Sequence, residues 1–276
     1  MSVFLLVPVF SYSTALAKVE RILGPLALKD NPNIALQVPE TDAPEIILSR
    51  EQYVISYNKE RRTPNWVAWK VEQSDLGSSG RSNNFAQDPD LENYLSQTGS
   101  GHAVTPEDYR GSCFDRGHQA PSADRTDSLQ NNEATFLMSN MIPQTPYLNR
   151  VIWEHLENYT RSLVHQGKKV YVIAGPIYDQ NFGAIGPQAD IQVPSKDFKI
   201  IIVLDANQTP QDINANTQII SVVMPNTRED GTPIPVPSTS CEAFTQSKKA
   251  NFDYCKQYQT SLLEIQTLSG VHISLQ

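Results

Sequence analysis

The residues best suited to chemistry in this 276-residue chain lie in the stretch CFDRGHQAPSADR, residues 113 to 125, which holds one of only five histidines. His118 directly follows Asp115, Arg116 and Gly117. An imidazole can act as a general base, bind a metal ion, or pack as a hydrogen-bonded ring. The residue types that accompany it elsewhere in the chain must decide among these roles.

A helix is predicted from about residue 148 to residue 165, ended by Gly167, because apolar residues recur along it at spacings of three and four. Beside its apolar face lie Asn149, Trp153 and Glu157. In a regular α-helix Asn149 and Glu157 face one side, about 12 Å apart along the axis. They can share a cleft but not one metal coordination shell. Asn149 could instead cap the helix, a position that favours asparagine.

The predicted order of elements is strand, loop, strand and helix. The first strand carries DRGHQAP, the second FLMSNMIPQ, and the helix opens with LNRVIWEHLE. This series resembles the DNA/RNA non-specific endonuclease family, whose ββα-metal core carries a DRGH motif. The segments NWVAWKV, VIAGPIYD, VPSKDFKIII and VVMPNT, and a closing helix before Gly270, also resemble parts of that family. The resemblance therefore spans roughly residues 52 to 273.

The resemblance implies hydrolysis of DNA and RNA with little sequence preference, leaving 5′-phosphate ends. It implies Mg²⁺ as cofactor, with Mn²⁺ as a substitute. It also implies a role for each matching residue: His118 as general base, Asn149 as the single direct metal ligand, Glu157 acting on the ion through water, Arg116 facing the substrate phosphate, and Asn140 supporting the site.

Two family positions depart from the pattern. One is residue 136, four residues before Asn140, where some members of the family have an amide and this chain has Phe136. The other concerns an arginine. A family arginine that contacts phosphate stands shortly before an Asp-Pro pair, here Asp88 and Pro89, but the matching residue is Asn83. Arg81, two residues earlier, is the candidate to replace it.

The predicted fold class is α+β, with a central, mostly antiparallel sheet flanked by helices. Strands outnumber helices and show no regular βαβ alternation. A second helix is predicted from Ser261 to just before Gly270, and residues 74–112, rich in Ser, Gly, Asn and Asp, are predicted to be a long surface loop. Strands are predicted at residues 52–57, 65–71, 169–174, 198–204 and 218–224.

The chain divides into a leader and N-terminal extension at residues 1–50 and an endonuclease domain at residues 51–276. Residues 1–17 resemble a secretory signal, with an apolar run and Ala15-Leu16-Ala17, although a basic start is absent. This favours a secreted or periplasmic protein. The alternative is a first strand or buried helix of the domain. No apolar stretch of membrane-spanning length follows.

The formal charge of −8 argues against a protein that holds nucleic acid with a blanket of lysines. A local field in a cleft can still attract phosphate. The expected partners are DNA and RNA, with a homodimer considered and no inhibitor identifiable. Of the three cysteines, Cys241 and Cys255 are predicted to pair, leaving Cys113 as a free thiol with no base pattern to make it a nucleophile.

Two other functions compete with the nuclease. The first is a catalytically silent module of the same fold that binds nucleic acid or protein, against which the intact His118, Asn149 and Glu157 speak. The second is a phosphodiesterase of small nucleotides, which a closed site would favour. If His118 is the base, its reference pKa near 6.5 predicts loss of activity on the acid side.

Overall fold

The computed structural model describes residues 19–35, 37–238, 241 and 252–275, so the signal-like segment predicted at residues 1–17 lies outside it. Its strands, in chain order, are β1 (Val19–Leu23), β2 (Glu40–Thr41), β3 (Glu45–Ser49), β4 (Val54–Asn58), β5 (Thr63–Val71), β6 (Asp115–His118), β7 (Met141–Gln144), β8 (Lys168–Ile177), β9 (Ala184–Ile185), β10 (Ile191–Gln192), β11 (Lys196–Asp205), β12 (Gln218–Pro225) and β13 (Val271–His272). The α-helices are α1 (Pro89–Thr98), α2 (Leu129–Ala134), α3 (Glu154–His165), α4 (Phe252–Cys255) and α5 (Leu262–Ser269), and a π-helical segment, Leu148–Trp153, leads directly into α3.

Seven strands form the central sheet in the order β1-β3-β4-β5-β8-β11-β12. Only the β1–β3 pair is parallel, and the other neighbours in this sheet are antiparallel. The predicted α+β class and the mostly antiparallel sheet are confirmed. Each of the five strands predicted from the sequence overlaps a strand of this sheet. The division predicted after residue 50 falls between β3 and β4, which are neighbours within it.

Both faces of the sheet are covered, as the apolar character of its central strands predicts. On β8, Val170 and Val172 pack on the face that carries α1 and α3, whereas Tyr171 and Ile173 pack on the face that carries α5. This alternation is the ordinary period of two along a strand. The result is three layers, with helices on both sides of the sheet.

A separate antiparallel pair, β6 and β7, precedes the helix that runs through α3. His118 lies opposite Met141, and Asp115 lies opposite Gln144. The order of strand, strand and helix is the one predicted for the motif. α5 begins after the N-cap Ser261, whose hydroxyl accepts from the Glu264 amide, and ends at Gly270 with a φ of +67°, as predicted.

Residues 74–112 are not one long loop, which corrects the sequence prediction. They contain α1, whose N-cap Asp88 accepts hydrogen bonds from the amides of Asp90 and Leu91. Pro89 occupies the first turn, and Gly99 ends the helix in the left-handed region. Only Leu91 and Leu95 of this helix are buried, which is too few for a visible apolar stripe.

The helix predicted from residue 148 to residue 165 has the correct extent but not a regular geometry. Its first six residues form the π-helical segment, where backbone bonds span five residues instead of four. The distance of about 12 Å derived for Asn149 and Glu157 from α-helical rise therefore does not describe this widened turn. No helix within the described ranges is long and apolar enough to cross a membrane.

The predicted cysteine pairing is wrong. Cys113 and Cys241 form the disulfide, with Cα atoms 5.0 Å apart, and Cys255 is the free thiol. Cys255 is fully buried on α4, where its Sγ donates to the Ile152 carbonyl at 3.4 Å. The disulfide therefore ties the segment just before β6 to the C-terminal part of the chain.

We predict that Cys241→Ser lowers the free energy of unfolding, because the bridge closes a loop of 128 residues, for which loop-closure entropy gives about 5 kcal/mol as an upper value. Urea denaturation measures the loss, and wild-type protein treated with a phosphine reductant should match the variant. Cys255→Ala is the control whose stability the reductant still lowers. Recovery of a Cys241–Cys255 peptide from a non-reduced digest would contradict the pairing.

Candidate active site

A cleft of about 560 Å³ opens beside β6. Four arginines line it, against two carboxylates, so its local charge is positive although the whole chain carries −8. The lining combines these arginines with aromatic rings and one amide: Arg81, Arg110, Arg116, Arg150, Glu107, Asp115, Phe85, Tyr109, Phe114, Pro106 and Asn149.

Strand β6 distributes the DRGH residues between the cleft and the interior. Asp115 and Arg116 line the cleft. Gly117 faces inward, where an added Cβ atom would lie 2.2 Å from Gln144 Oε1, so no side chain fits there. Gln144 donates a hydrogen bond of 2.5 Å to the buried Asp197 on β11. The hairpin is thereby fixed to the central sheet directly behind the motif.

His118 is buried, with 8% of its surface exposed, between two aromatic rings. Its ring centroid lies 4.8 Å from that of Phe136 and 5.6 Å from that of Phe85, both edge to face. The ring makes a hydrogen bond with the Arg116 backbone, and its Nε2 has no partner among the described residues. The bond to the backbone therefore uses Nδ1, which leaves the Nε2 lone pair as an unused proton acceptor.

Burial lowers the pKa of His118 to about 3, and the charges of Arg81 and Arg116 act in the same direction. The expectation of an acid limb starting near the reference pKa of about 6.5 is therefore corrected. The imidazole is neutral throughout the range from pH 5 to 8. Its protonation would limit a reaction only in much more acidic solution.

Two arginines stack on the rings that enclose His118. The Arg116 guanidinium lies 3.9 Å from the Phe85 ring centroid, and that of Arg81 lies 4.8 Å from the Phe136 centroid. Arg81 is held further by bonds from Nη1 to Ser122 Oγ and from Nε to Asn83 Oδ1. Stacking leaves the edges of a guanidinium free to donate to an anion.

Asn149 also lines the cleft and lies within the π-helical segment. It is not the cap of this helix, since the N-cap position belongs to Tyr147, whose side chain does not cap the helix. Its Nδ2 donates to Asp115 Oδ2 at 2.9 Å. Arg150 binds the same carboxylate through two bonds of 2.6 and 2.7 Å. Asp115 therefore pairs with Arg150 rather than with the adjacent Arg116, and it orients the amide of Asn149.

Glu157 lies further along the same helix and does not line the cleft. Only 13% of its side chain is exposed, and its Oε1 lies 3.7 Å from Lys199 Nζ. Burial raises the pKa of this carboxyl, an effect that the positive charges of Lys199 and Arg161 oppose. Arg81 lies within electrostatic range of both His118 and Glu157, so it connects the two buried groups with the cleft.

Asn140 is completely buried and does not line the cleft. Its Oδ1 accepts from the Ala120 amide, and its Nδ2 donates to the carbonyls of Ala120 and Thr135, at 2.9 to 3.0 Å. It fixes the backbone two residues after His118. Its role here is support rather than contact with a reacting group.

The donor atoms suit a cation that keeps most of its water. No group of three or more His, Cys, Asp or Glu side chains able to hold a metal occurs in the part of the chain described. With Nδ2 given to Asp115, the Asn149 Oδ1 is the amide atom suited to a hard cation. Mg²⁺ commonly binds through one or two protein oxygens and several waters.

The sequence indicates the polar residues of the candidate site, but not the aromatic and charged residues that surround them and set their burial and pKa. Phe85 lies in the stretch predicted to be loop, and Phe136 begins the segment FLMSNMIPQ without an assigned role. Arg110 lies outside the segments that resemble the family, and Lys199 lies within VPSKDFKIII without a role implied for it. Only the fold brings these residues together, so their identity alone could not have revealed them.

Comparison with known proteins identifies relatives over most of the chain. A family model for DNA/RNA non-specific endonuclease matches residues 29–274. A nuclease from Nostoc sp. is 41% identical over 226 residues, which are 80% of this chain and 78% of that protein. Human mitochondrial endonuclease G is 33% identical over 193 residues, 66% of this chain and 60% of the relative. A crystal structure of the EndoG/EndoGI complex contains a chain that matches with a TM-score of 0.60 and 25% identity, covering 82% of this chain and 84% of that one.

We predict that acidification destabilises the wild type more than His118→Gln. The folded pKa of about 3 lies below the unfolded value near 6.5, so between them the unfolded chain binds a proton that the folded chain does not. Above about pH 6.5 this group does not lower the free energy of unfolding. As the pH falls from there toward about 3, the free energy of unfolding decreases by at most about 1.4 kcal/mol per pH unit. Glutamine removes this dependence.

Urea denaturation of both proteins at pH 7, 6, 5 and 4 measures the difference. His165→Gln, which alters an exposed histidine at the end of α3, serves as the control and should follow the wild type. Parallel curves for wild type and His118→Gln would show that His118 is not held neutral by burial.

Proposed function

Because this chain belongs to the DNA/RNA non-specific endonuclease family, we propose that it hydrolyses phosphodiester bonds of DNA and RNA with His118 as the general base. The observation that carries this assignment is the Nε2 atom of His118, buried without a partner while Nδ1 is fixed to the backbone. An unprotonated acceptor next to an arginine-lined cleft is what removal of a proton from an attacking water requires.

The environment of His118 keeps that acceptor available. The ring of His118 is buried against the phenyl rings of Phe85 and Phe136, and the arginines oppose its protonation. The bond to the Arg116 backbone fixes the tautomer and the direction of the ring. His118 is therefore held as the neutral tautomer whose Nε2 can accept a proton.

The cofactor proposed is Mg²⁺, with Mn²⁺ as a substitute, held directly by Asn149 Oδ1. Glu157 would act on it through water. When bound, the cation neutralises charge that develops on the phosphate and its leaving oxygen. Asp115 contributes by holding the Asn149 amide through Nδ2, so that its oxygen is presented to the cleft.

Arg116 and Arg81 are proposed to bind the phosphates of the substrate. Both guanidiniums stand on aromatic rings at the cleft, and planar donors suit phosphate oxygens. Arg81 would replace the family arginine whose position is Asn83 here. Contacts to the backbone position a strand without reading its bases, which suits cleavage with little sequence preference. The implied products carry 5′-phosphates.

We also propose export to the periplasm or the medium. The support is the apolar N-terminal run with its Ala15-Leu16-Ala17 sequence, and the Cys113–Cys241 disulfide, a bond typical of oxidising compartments. The intact mass of protein recovered outside the cytoplasm checks cleavage after this segment. A homodimer stays a prediction, which sedimentation of the purified protein would test.

The proposed activity is tested by incubating purified protein with supercoiled DNA, RNA and a dinucleotide, each with Mg²⁺ and with EDTA. We expect both polymers to be cut to 5′-phosphate ends, EDTA to stop the reaction, and His118→Gln to be about 10² to 10⁴-fold slower. Binding of the polymers without cleavage would indicate a silent binding module. Cleavage of the dinucleotide alone would indicate a small-nucleotide phosphodiesterase.

We predict different effects for the two metal-facing residues. Asn149→Ala should weaken Mg²⁺ binding and turnover together, because it removes the direct ligand. Glu157→Gln should retain appreciably more Mg²⁺ affinity but lose about 10 to 100-fold in rate, the range typical of groups that act through water. Isothermal titration with Mg²⁺ and a DNA cleavage assay measure the two quantities. Equal loss of Mg²⁺ affinity in both variants would contradict the division.

A further inference from the structure

Lys199 is a lysine buried in the middle of β11, with 2% of its side chain exposed. Its Nζ lies 4.0 Å from the Trp153 ring centroid and 5.7 Å from that of Trp69. β11 is paired on one side with β8 and on the other with β12, so the backbone at Lys199 cannot shift. A cation in such a position must be compensated by nearby anions or aromatic faces.

Three carboxylates and one arginine surround this ammonium: Glu157 and Arg161 on α3, Asp124 beyond the end of β6, and Asp197 on β11 itself. Two of the carboxylates have other partners. Asp124 accepts from Arg161 Nη1 at 2.8 Å and from Trp69 Nε1 at 2.9 Å. Asp197 accepts from Gln144 at 2.5 Å.

Glu157 is the carboxylate left to pair with Lys199. Among the described residues, Lys199 Nζ and Glu157 Oε1, 3.7 Å apart, form the one ion pair within 4 Å that involves either group. The Trp153 ring lies under the ammonium and on the same helix as Glu157. The central sheet, the Trp153 ring and the Glu157 carboxylate therefore meet around the Lys199 ammonium.

We infer that Lys199 is a positioning residue of the hydrolytic site, which holds the Glu157 carboxylate from behind and directs it toward the cleft. The ammonium is confined between Trp153 and Trp69, so it offers the carboxylate a fixed contact rather than a mobile one. Lys199 is not among the residues that line the cleft. Its influence on the reaction passes through Glu157, and the inference therefore rests on the role proposed for that residue.

A double-mutant cycle tests this route of action. Lys199→Met, which preserves the apolar stem, should lower kcat on DNA by about 10 to 100-fold with KM changed less than threefold. In the Glu157→Gln background the same substitution should lower kcat by less than twofold, because the carboxylate that Lys199 holds is already absent. Equal losses in both backgrounds would show a general structural effect and overturn the inference.

The control is Lys169→Met on the neighbouring strand β8, a half-buried lysine whose Nζ lies 3.8 Å from Glu72. It should leave kcat unchanged in both backgrounds. Thermal unfolding of each variant separates loss of fold from loss of rate. If Lys199→Met alone does not fold, kcat of Glu157→Gln can still be compared with that of the double variant, which carries no buried charge at either position of this pair. Equal kcat in these two variants supports the inference, and a lower kcat in the double variant overturns it.

Failure of this inference can be distinguished from failure of the proposed function. Full activity of Glu157→Gln together with loss in Lys199→Met would remove Glu157 as the intermediary while His118 and Asn149 keep their roles. Full activity of His118→Gln would instead overturn the proposed function itself.

Discussion

The close approach of Gly117 to Gln144 is the contact on which the site depends. A Cβ atom at residue 117 would overlap the Gln144 amide, which is itself bonded to the buried Asp197 of the central sheet. Because Gln144 belongs to β7 of the same hairpin, a side chain at residue 117 would displace the Gln144 amide and disturb its bond to Asp197. Arg116 and His118 lie on either side of the glycine. The glycine of the motif is thus a packing requirement that preserves the bond between the hairpin and the central sheet.

Net charge and local charge have opposite signs in this molecule. Acidic residues exceed basic ones by eight over the chain, yet the cleft has four arginines against two carboxylates. One of these carboxylates, Asp115, is already paired with Arg150 and Asn149. Long-range repulsion of a polyanion is screened within about 10 Å at ordinary salt concentrations. The field of the cleft therefore governs the final approach of a phosphate.

The sequence predicts those elements whose pattern of apolar residues follows directly from packing against a neighbouring layer of the fold. The strands that form β5, β8 and β11 were predictable because alternation and unbroken apolar runs reflect burial on one or both faces. Helix α1 was missed although Asp88, Pro89 and Gly99 mark its ends, because two buried leucines do not make a stripe.

The missed features share a different cause, since each depends on partners distant in the chain. The pairing of Cys113 with Cys241 depends on how the C-terminal segment returns to β6. The π-helical turn at Asn149 depends on packing of the surrounding layers. The low pKa of His118 depends on two phenyl rings and two arginines from three separate segments. Such properties belong to the assembled site, and no spacing in the sequence encodes them directly.

The two buried nitrogen bases of the site illustrate how surroundings decide between neutrality and charge. Burial lowers the pKa of both His118 and Lys199. The charges nearest His118 are Arg81 and Arg116, which oppose protonation further, so it stays a free base. Lys199 instead faces Glu157 and Asp124, which favour its charged form. The positive charge of Arg81 acts electrostatically on both His118 and Glu157. A phosphate bound to Arg81 would offset this charge, so binding of a substrate would change the electrostatic potential at both buried groups.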